Sequence, residues 1–122
     1  MLAAHIDLIL LLTGLATTGA LVLCLWPTTT MKLMFGQSPS DALSLLIVRH
    51  WGLLVGMVGA LLIHAADHAE IRGPTLIVAI VEKAVFALGI FCSPFRRRPI
   101  AFVMAAADSS MAVVYLAYLS GL

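Results

Sequence analysis

Residues 43–66, LSLLIVRHWGLLVGMVGALLIHAA, form an almost unbroken apolar run in which Arg49 is the only residue of fixed charge. A helix needs about 20 mostly apolar residues to cross the hydrocarbon core of a membrane. The run does not alternate between apolar and polar residues as the strands of an outer-membrane barrel do. Because a backbone in lipid must satisfy its own hydrogen bonds, the run predicts a transmembrane helix.

Three further stretches have the same apolar character. They are residues 2–26, 75–92 and 99–119, and prolines stand at or next to several of their ends. Together with residues 43–66 they occupy most of the 122 residues, which leaves no room for a soluble domain. We therefore predict one domain, residues 1–122, with an all-α fold, an integral membrane four-helix bundle.

The composition excludes several classes of protein. Hydrophobic residues make up 62% of the chain and charged residues only 11%, whereas a soluble domain carries roughly 25% charged residues. A water-soluble monomer and a disordered chain are therefore excluded. The formal net charge is +1 and the one basic run is short, so no nucleic-acid partner is expected.

The distribution of basic residues predicts the orientation. The connection at residues 93–98 contains three consecutive arginines and no acid, and short loops rich in Lys and Arg face the cytoplasm. Residues 27–42 then also face the cytoplasm, while residues 67–74 and both termini lie outside. We interpret the chain as a multi-pass protein of a bacterial inner membrane. For residues 27–42 we expect an ordinary loop, with an interfacial segment along the lipid headgroups as the alternative.

Four residues of fixed charge fall well inside the predicted spans: Arg49, Glu82, Lys83 and Asp108. A charge at the bilayer centre costs at least about 2.5–3.5 kcal/mol on insertion scales. We expect Arg49 to meet Asp108 or Glu82 inside the bundle and Lys83 to pair with the remaining acid. Tyr115 follows Asp108 on the same helix face and can donate a hydrogen bond. These five residues predict a ligand-binding or proton-relay site; the alternative is a structural ion-pair network that fixes helix register.

Small residues indicate how the helices pack. Arg49, Gly52, Gly56 and Ala60 share one face of the second span, and the G-x-x-x-G pair lets another backbone approach closely. We therefore expect Arg49 to face a neighbouring helix. In the first span, the small and polar residues that predict an interface are Thr13, Gly14, Thr17 and Thr18.

Histidines suggest two cofactor alternatives. His64 and His68 are four residues apart beside Asp67, a spacing that can place two imidazoles on one metal ion. His50 and His64 are 14 residues apart, or about 21 Å along a helix, a spacing that stacked haems between helices can use. We favour neither arrangement and expect no cofactor.

Several motifs resemble one group of proteins. Phe35-Gly36 precedes a helix with Arg49-His50-Trp51-Gly52 and a later Gly59, and Glu82-Lys83 and Asp108 follow on the third and fourth helices. Over residues 27–120 this pattern resembles the small bacterial four-helix membrane proteins grouped as DoxX-like. The resemblance implies a four-helix bundle. Some relatives are associated with quinol oxidation or thiosulfate metabolism, but no residue here carries that chemistry over.

Three functional hypotheses follow. The first is a non-enzymatic membrane protein whose charged cluster binds a small amphipathic ligand or relays protons. The second is a membrane-embedded isomerase or hydrolase that acts on a lipophilic substrate, with Glu82 and Asp108 as acid and base. The third is an accessory subunit or oligomer building block that docks through the glycine stripe. The expected partners are membrane lipid, an amphipathic ligand, and further copies of the chain or a membrane complex.

Overall fold

The computed structural model describes residues 2–121, and these residues form helices and no strands. The α-helices are α1 (Ile6–Thr18), α2 (Leu21–Leu25), α3 (Pro27–Phe35), α4 (Ala42–Asp67), α5 (Arg72–Phe91) and α6 (Pro99–Leu119). Short 3-10 helices lie at Leu2–Ala4, Ala69–Ile71 and Pro94–Arg97. The all-α fold predicted from the sequence is therefore confirmed.

Four helical segments are long and apolar enough to cross a membrane. They are Ile6–Leu25, which combines α1 and α2, and Ala42–Asp67, Ala69–Phe91 and Pro99–Leu119. The chain is thus a multi-pass membrane protein. The predicted spans at residues 43–66 and 99–119 agree closely with these bounds, whereas the first segment begins later than residue 2 and the third begins earlier than residue 75.

A turn interrupts the first span, which the sequence had predicted as one helix. The hydroxyls of Thr17 and Thr18 donate to the carbonyl oxygens of Thr13 and Gly14, each at 2.7 Å. Hydroxyls that bond back onto their own helix bend it. The next backbone bonds reach only three residues back, with Gly19 N–H donating to Ala16 at 3.2 Å. The helix therefore tightens and restarts as α2.

Helices α1 and α4 pack with their backbones close together. A Cβ placed on Gly14 would lie 2.8 Å from Ile63 Cγ1 and 3.0 Å from the carbonyl oxygen of Gly59. A Cβ on Gly52 would lie 2.8 Å from the carbonyl oxygen of Ala20. Glycines at these positions are thus required by the close contact of α4 with α1 and with the turn that follows α1.

The buried face of α4 differs from the predicted stripe. It runs through Val48, Gly52, Gly56 and Gly59, while Arg49 and Ala60 are exposed. The predicted stripe was therefore wrong at Arg49 and Ala60, which do not lie on the buried face. Because the glycines contact α1 and α2 of the same chain, this stripe is not a free docking surface for an oligomer.

The connection between the first two spans contains a helix, so the prediction of an ordinary loop was wrong. Pro27 occupies the first turn of α3, where its missing N–H is tolerated. Gly36 ends the helix at a positive φ of 75°, a conformation that glycine adopts without strain. Phe35 packs edge-on against Phe95, with ring centroids 5.1 Å apart, while Leu33 is 63% exposed. The helix thus has one side that is buried and another that is apolar and exposed, as interfacial helices do.

Side chains cap both ends of α4. The Asp41 carboxylate accepts a hydrogen bond from Ser44 N–H at 2.9 Å, and this bond holds the pKa of Asp41 below its ordinary value. At the other end, Arg72 donates to the carbonyl oxygens of Ala65 and Ala66 at 2.7 and 2.6 Å. These carbonyls belong to the last turn of α4, which lacks the donors that a continuing helix would supply four residues further on.

Arg72→Ala is expected to lower the free energy of unfolding by about 2 kcal/mol, because it removes two charge-assisted hydrogen bonds from the end of α4. The free energy can be measured by denaturant titration in detergent, followed by circular dichroism. Arg96→Ala is the matched control, since Arg96 is exposed and makes one bond, to Ser93. An equal effect of the two substitutions would contradict this role for Arg72.

Two apolar cores divide the bundle along its length. Ala79 of α5 and Tyr115 of α6 belong to one core, and Ala87 of α5 and Ala105 of α6 belong to the other. Residues 83 and 108 lie between these positions on their helices. Lys83 and Asp108 are therefore placed at the middle of the bundle, between the two cores.

Candidate functional site

Lys83 is the centre of the candidate site. Its side chain is 1% exposed although it lies in the middle of α5. Nζ donates to Thr17 Oγ1 at 2.8 Å and to Asp108 Oδ1 at 3.3 Å. One ammonium group therefore joins the first, third and fourth spans. We call Thr17, Glu82, Lys83 and Asp108 the polar cluster.

Glu82 completes the polar cluster but is not fully satisfied within it. Its Oε1 lies 3.9 Å from Lys83 Nζ, too far for a hydrogen bond. This oxygen is buried and has no hydrogen-bond partner among residues 2–121. A buried acceptor without a partner costs about 1–3 kcal/mol, and more when it is charged. With all groups charged, the two carboxylates and one ammonium carry a net charge of −1.

Tyr115 lies near the polar cluster but bonds elsewhere. Its side chain is fully buried, and its hydroxyl donates to Thr13 Oγ1 at 2.5 Å. Thr13 Oγ1 in turn donates to the carbonyl oxygen of Ile9 at 2.7 Å. As the sequence predicted, Tyr115 shares the inward face of α6 with Asp108. Its hydrogen bond ties α6 to α1 and does not reach the carboxylates.

Arg49 is outside the polar cluster, which corrects the predicted pairing with Asp108 or Glu82. Its side chain is exposed, and its guanidinium donates to the carbonyl oxygen of Cys24 at 3.4 Å. Arg49 lies on the side of α4 next to its buried face, and it reaches the end of α2. Lys83 therefore meets both acids, and no arginine is available to hold an anionic headgroup at the cluster.

A cavity of about 290 Å³ opens beside the polar cluster. All four residues of the cluster line it on one side. The remaining wall is mostly apolar and includes Trp51 and Val55 of α4, Phe86 of α5 and Met104 of α6. Gly19 and Ala20, at the turn between α1 and α2, form a further part of the wall. We call this space the central cavity.

The rings of Trp51 and Phe86 stack, with centroids 5.8 Å apart and planes at 28°. The two helices that carry them, α4 and α5, therefore meet through an aromatic pair at the central cavity. The sequence contains no signal for this pair, because its residues are 35 positions apart and lie on different spans.

Histidines do not form a metal centre in the described part of the chain. The rings of His64 and His68 stack, with centroids 3.9 Å apart and planes at 25°. Nδ1 of His68 lies 2.9 Å from the carbonyl oxygen of His64, so that nitrogen already has a partner. Asp67 and His50 are exposed. No group of three or more His, Cys, Asp or Glu residues within 2–121 is arranged to hold a metal ion.

The site can bind an amphipathic molecule, since it combines an apolar wall with buried groups that accept and donate hydrogen bonds. Glu82 and Asp108 were predicted from their position in apolar spans, and the structure brings both to Lys83. Thr17 was predicted only as an interface residue. Its role as a partner of Lys83 depends on how α1 and α5 pack, which their local sequences do not specify.

Comparison with known proteins gives no match. The sequence matches no protein-family model, and no curated protein or solved structure is significantly similar to the chain.

Proposed function

We propose that the protein binds a small amphipathic molecule within the membrane, in the central cavity. The proposal rests on one observation. A cavity of about 290 Å³ lies between the spans, and the residues of the polar cluster form part of its wall. This volume is close to the lower end of the range for ligand pockets, whose volumes are about 300–1,000 Å³. Burying ionisable groups in a membrane is costly, and the cavity gives those groups access to a ligand.

The alternative of a proton relay has less support from the hydrogen bonds. The hydroxyl of Thr17 donates to the carbonyl oxygen of Thr13, and that of Thr13 donates to the carbonyl oxygen of Ile9. A backbone carbonyl accepts a hydrogen bond but has no proton to pass on. The hydroxyls next to Lys83 and Tyr115 therefore do not form a continuous path.

The enzymatic alternative uses the same cavity, because Glu82 and Asp108 both line it. In that hypothesis they are the acid and base of an isomerase or hydrolase acting on a lipophilic substrate. Asp108 is bonded to Lys83, which leaves Glu82 as the carboxylate with a free oxygen. Binding without chemical change favours the proposal, and turnover of a bound molecule favours the enzyme.

Filling the cavity tests the proposed function. Val55→Phe enlarges a side chain on the cavity wall, and Val113→Phe makes the same change at a position on α6 that is 67% exposed. Binding of dodecylamine, dodecanol and dodecanoate is measured by equilibrium dialysis against the protein in nanodiscs. We expect Val55→Phe to weaken saturable binding roughly tenfold or more, as overpacking of about 1–3 kcal/mol implies. Val113→Phe is expected to leave binding unchanged. Equal binding by both variants would contradict the proposal.

We further infer that the protein lies in a bacterial inner membrane with both termini outside the cytoplasm. Five cations and one acid stand at the end that contains residues 93–98, whereas three acids and one arginine stand at the other end, a distribution that supports this orientation. In a cysteine-free background, a membrane-impermeant maleimide is expected to label Glu70→Cys in intact spheroplasts. Arg97→Cys is expected to react only in inverted vesicles, and the reverse pattern would overturn the orientation.

Two expectations stay predictions. The resemblance to DoxX-like proteins supplies no residue role used above. Assembly into a homo-oligomer or a membrane complex has lost the glycine stripe as its proposed surface, because Gly52 and Gly56 are buried against α2.

A further inference from the structure

A second apolar space adjoins the central cavity on the outside of the bundle. It is a groove of about 420 Å³ between α4 and α5, and its outer residues are Leu54, Val58, Val81 and Val85. Val81 and Val85 are 57% and 64% exposed, so the groove faces the surrounding lipid. We call it the lateral groove.

The lateral groove and the central cavity share one wall. Trp51, Val55, Glu82 and Phe86 line both spaces. The wall therefore consists of side chains, including the stacked Trp51–Phe86 pair, and contains no intervening helix. Side chains change rotamer far faster than helices move, so this wall can open without rearrangement of the bundle. Glu82 is the ionisable residue of this shared wall.

The charges of the polar cluster select the headgroup. Lys83 already donates to Thr17 and Asp108, whereas Glu82 Oε1 has no donor among the described residues. The cluster carries a net charge of −1 when all its groups are ionised. A headgroup that donates hydrogen bonds can supply the donor that Glu82 lacks, and a positive charge on it neutralises the cluster. An anionic headgroup does neither.

We propose that the ligand is a single-chain amphiphile with a primary ammonium head, which enters from the bilayer through the lateral groove and donates to Glu82. This inference rests on the proposed function, since it specifies the ligand class and the entrance of the same cavity. The alkyl chain lies along the apolar wall of Val55 and Phe86. The ammonium head occupies the space next to Glu82 and neutralises the net charge of the cluster.

Fluorescence quenching tests the headgroup. The chain has two tryptophans, so Trp26→Phe leaves Trp51 as the only one. The protein is placed in phosphatidylcholine nanodiscs and titrated with dodecylamine, dodecanol or dodecanoate, each carrying a terminal bromine as the quencher. We expect saturable quenching of Trp51 by the amine, with a Kd about tenfold or more below those of the other two.

Two variants place the contact at Glu82. Glu82→Gln is expected to raise the Kd of the brominated amine about tenfold or more, since it removes the charge of the accepting group. Glu70→Gln removes an exposed acid outside the bundle and is expected to leave the Kd unchanged. The comparison of the three headgroups on the parent protein needs no change at Glu82. It therefore tests the preference for an ammonium headgroup even where Glu82→Gln does not fold.

The entrance is tested by kinetics. Val81→Phe and Val85→Phe, combined, narrow the lateral groove at exposed positions, and stopped-flow quenching by the amine is expected to slow about tenfold. Such a slowing corresponds to about 1.4 kcal/mol in the barrier. Val113→Phe on α6 is the control and is expected to leave the rate unchanged. An unchanged rate in the double variant would overturn the lateral entrance.

The outcomes separate this inference from the proposed function. Saturable quenching by the alcohol or the acid that equals or exceeds that by the amine overturns the headgroup assignment and leaves the binding cavity standing. An absence of saturable quenching with all three probes overturns the proposed function itself.

Discussion

Lys83→Met is expected to lower the free energy of unfolding by about 3–5 kcal/mol, the usual cost of removing one partner from a buried ion pair. Methionine keeps most of the side-chain volume, so the loss comes from charge and hydrogen bonding. Without the ammonium, Asp108 and Thr17 lose their partner, and two carboxylates remain in the middle of the bundle. Few single substitutions have effects of this size.

The free energy can be measured by titrating the protein in dodecyl maltoside with SDS and following its helical circular dichroism. Lys32→Met is the matched control, because Lys32 is exposed on α3, and its effect is expected to stay within about 0.5 kcal/mol. Adding Asp108→Asn to Lys83→Met is expected to recover part of the loss, since it removes an unpaired acid. A loss equal to that of Lys32→Met would show that Lys83 does not hold the spans together.

Gly59→Leu is expected to have the second-largest effect, about 3 kcal/mol, near the upper end of the usual cost of overpacking. A Cβ on Gly59 would lie 2.5 Å from Thr18 Oγ1 and 2.8 Å from the carbonyl oxygen of Gly14. The backbone of α1 cannot move away without separating the first two spans. The same titration measures the loss.

Gly89→Leu is the matched control for Gly59→Leu. Gly89 also lies inside a membrane-spanning helix, but a Cβ there would meet nothing within 4 Å. Because leucine has the higher helix propensity, Gly89→Leu is expected to be neutral or stabilising by roughly 0.5–1 kcal/mol. Similar losses for the two variants would contradict the contact with α1 as the reason for the glycine at 59.

The spans were predictable because their signal is local. A run of about 20 apolar residues crosses a membrane whatever its neighbours are, and residues 43–66 and 99–119 agree closely with the helices found. The turn between α1 and α2 was not predicted, since Thr17 and Thr18 are compatible with a continuous helix. Their hydroxyls bend the helix by donating to carbonyl oxygens four residues back. The spacing of apolar residues gives no sign of these hydrogen bonds.

The rotation of α4 was harder to predict than its position. Arg49, Gly52 and Gly56 do lie near one another on a helical wheel, but the buried face is centred on Gly52 and Gly59. A stripe read from small residues includes positions at its edge, and Arg49 is such a position. Whether an edge residue is buried depends on the crossing angle and on the partner helix, and neither is encoded in the segment itself.

The members of the polar cluster were predictable, but their pairing was not. Glu82, Lys83 and Asp108 stand out because a membrane makes any charge costly. Their mutual contacts depend on three helices meeting at one depth. The central cavity is lined by residues of all six α-helices and of the turn between α1 and α2, so it is a consequence of tertiary packing.

Photocrosslinking shows directly whether the amphiphile binds in the central cavity. Dodecylamine carrying a diazirine on its chain is irradiated with the protein in nanodiscs, with and without excess dodecylamine, and the labelled residues are identified by mass spectrometry. Labels that compete away are expected on α4 between Trp51 and Val55 and on α5 between Glu82 and Phe86. Competed labels confined to the lipid-facing side of α6, at Val103 and Val113, would contradict binding in the central cavity.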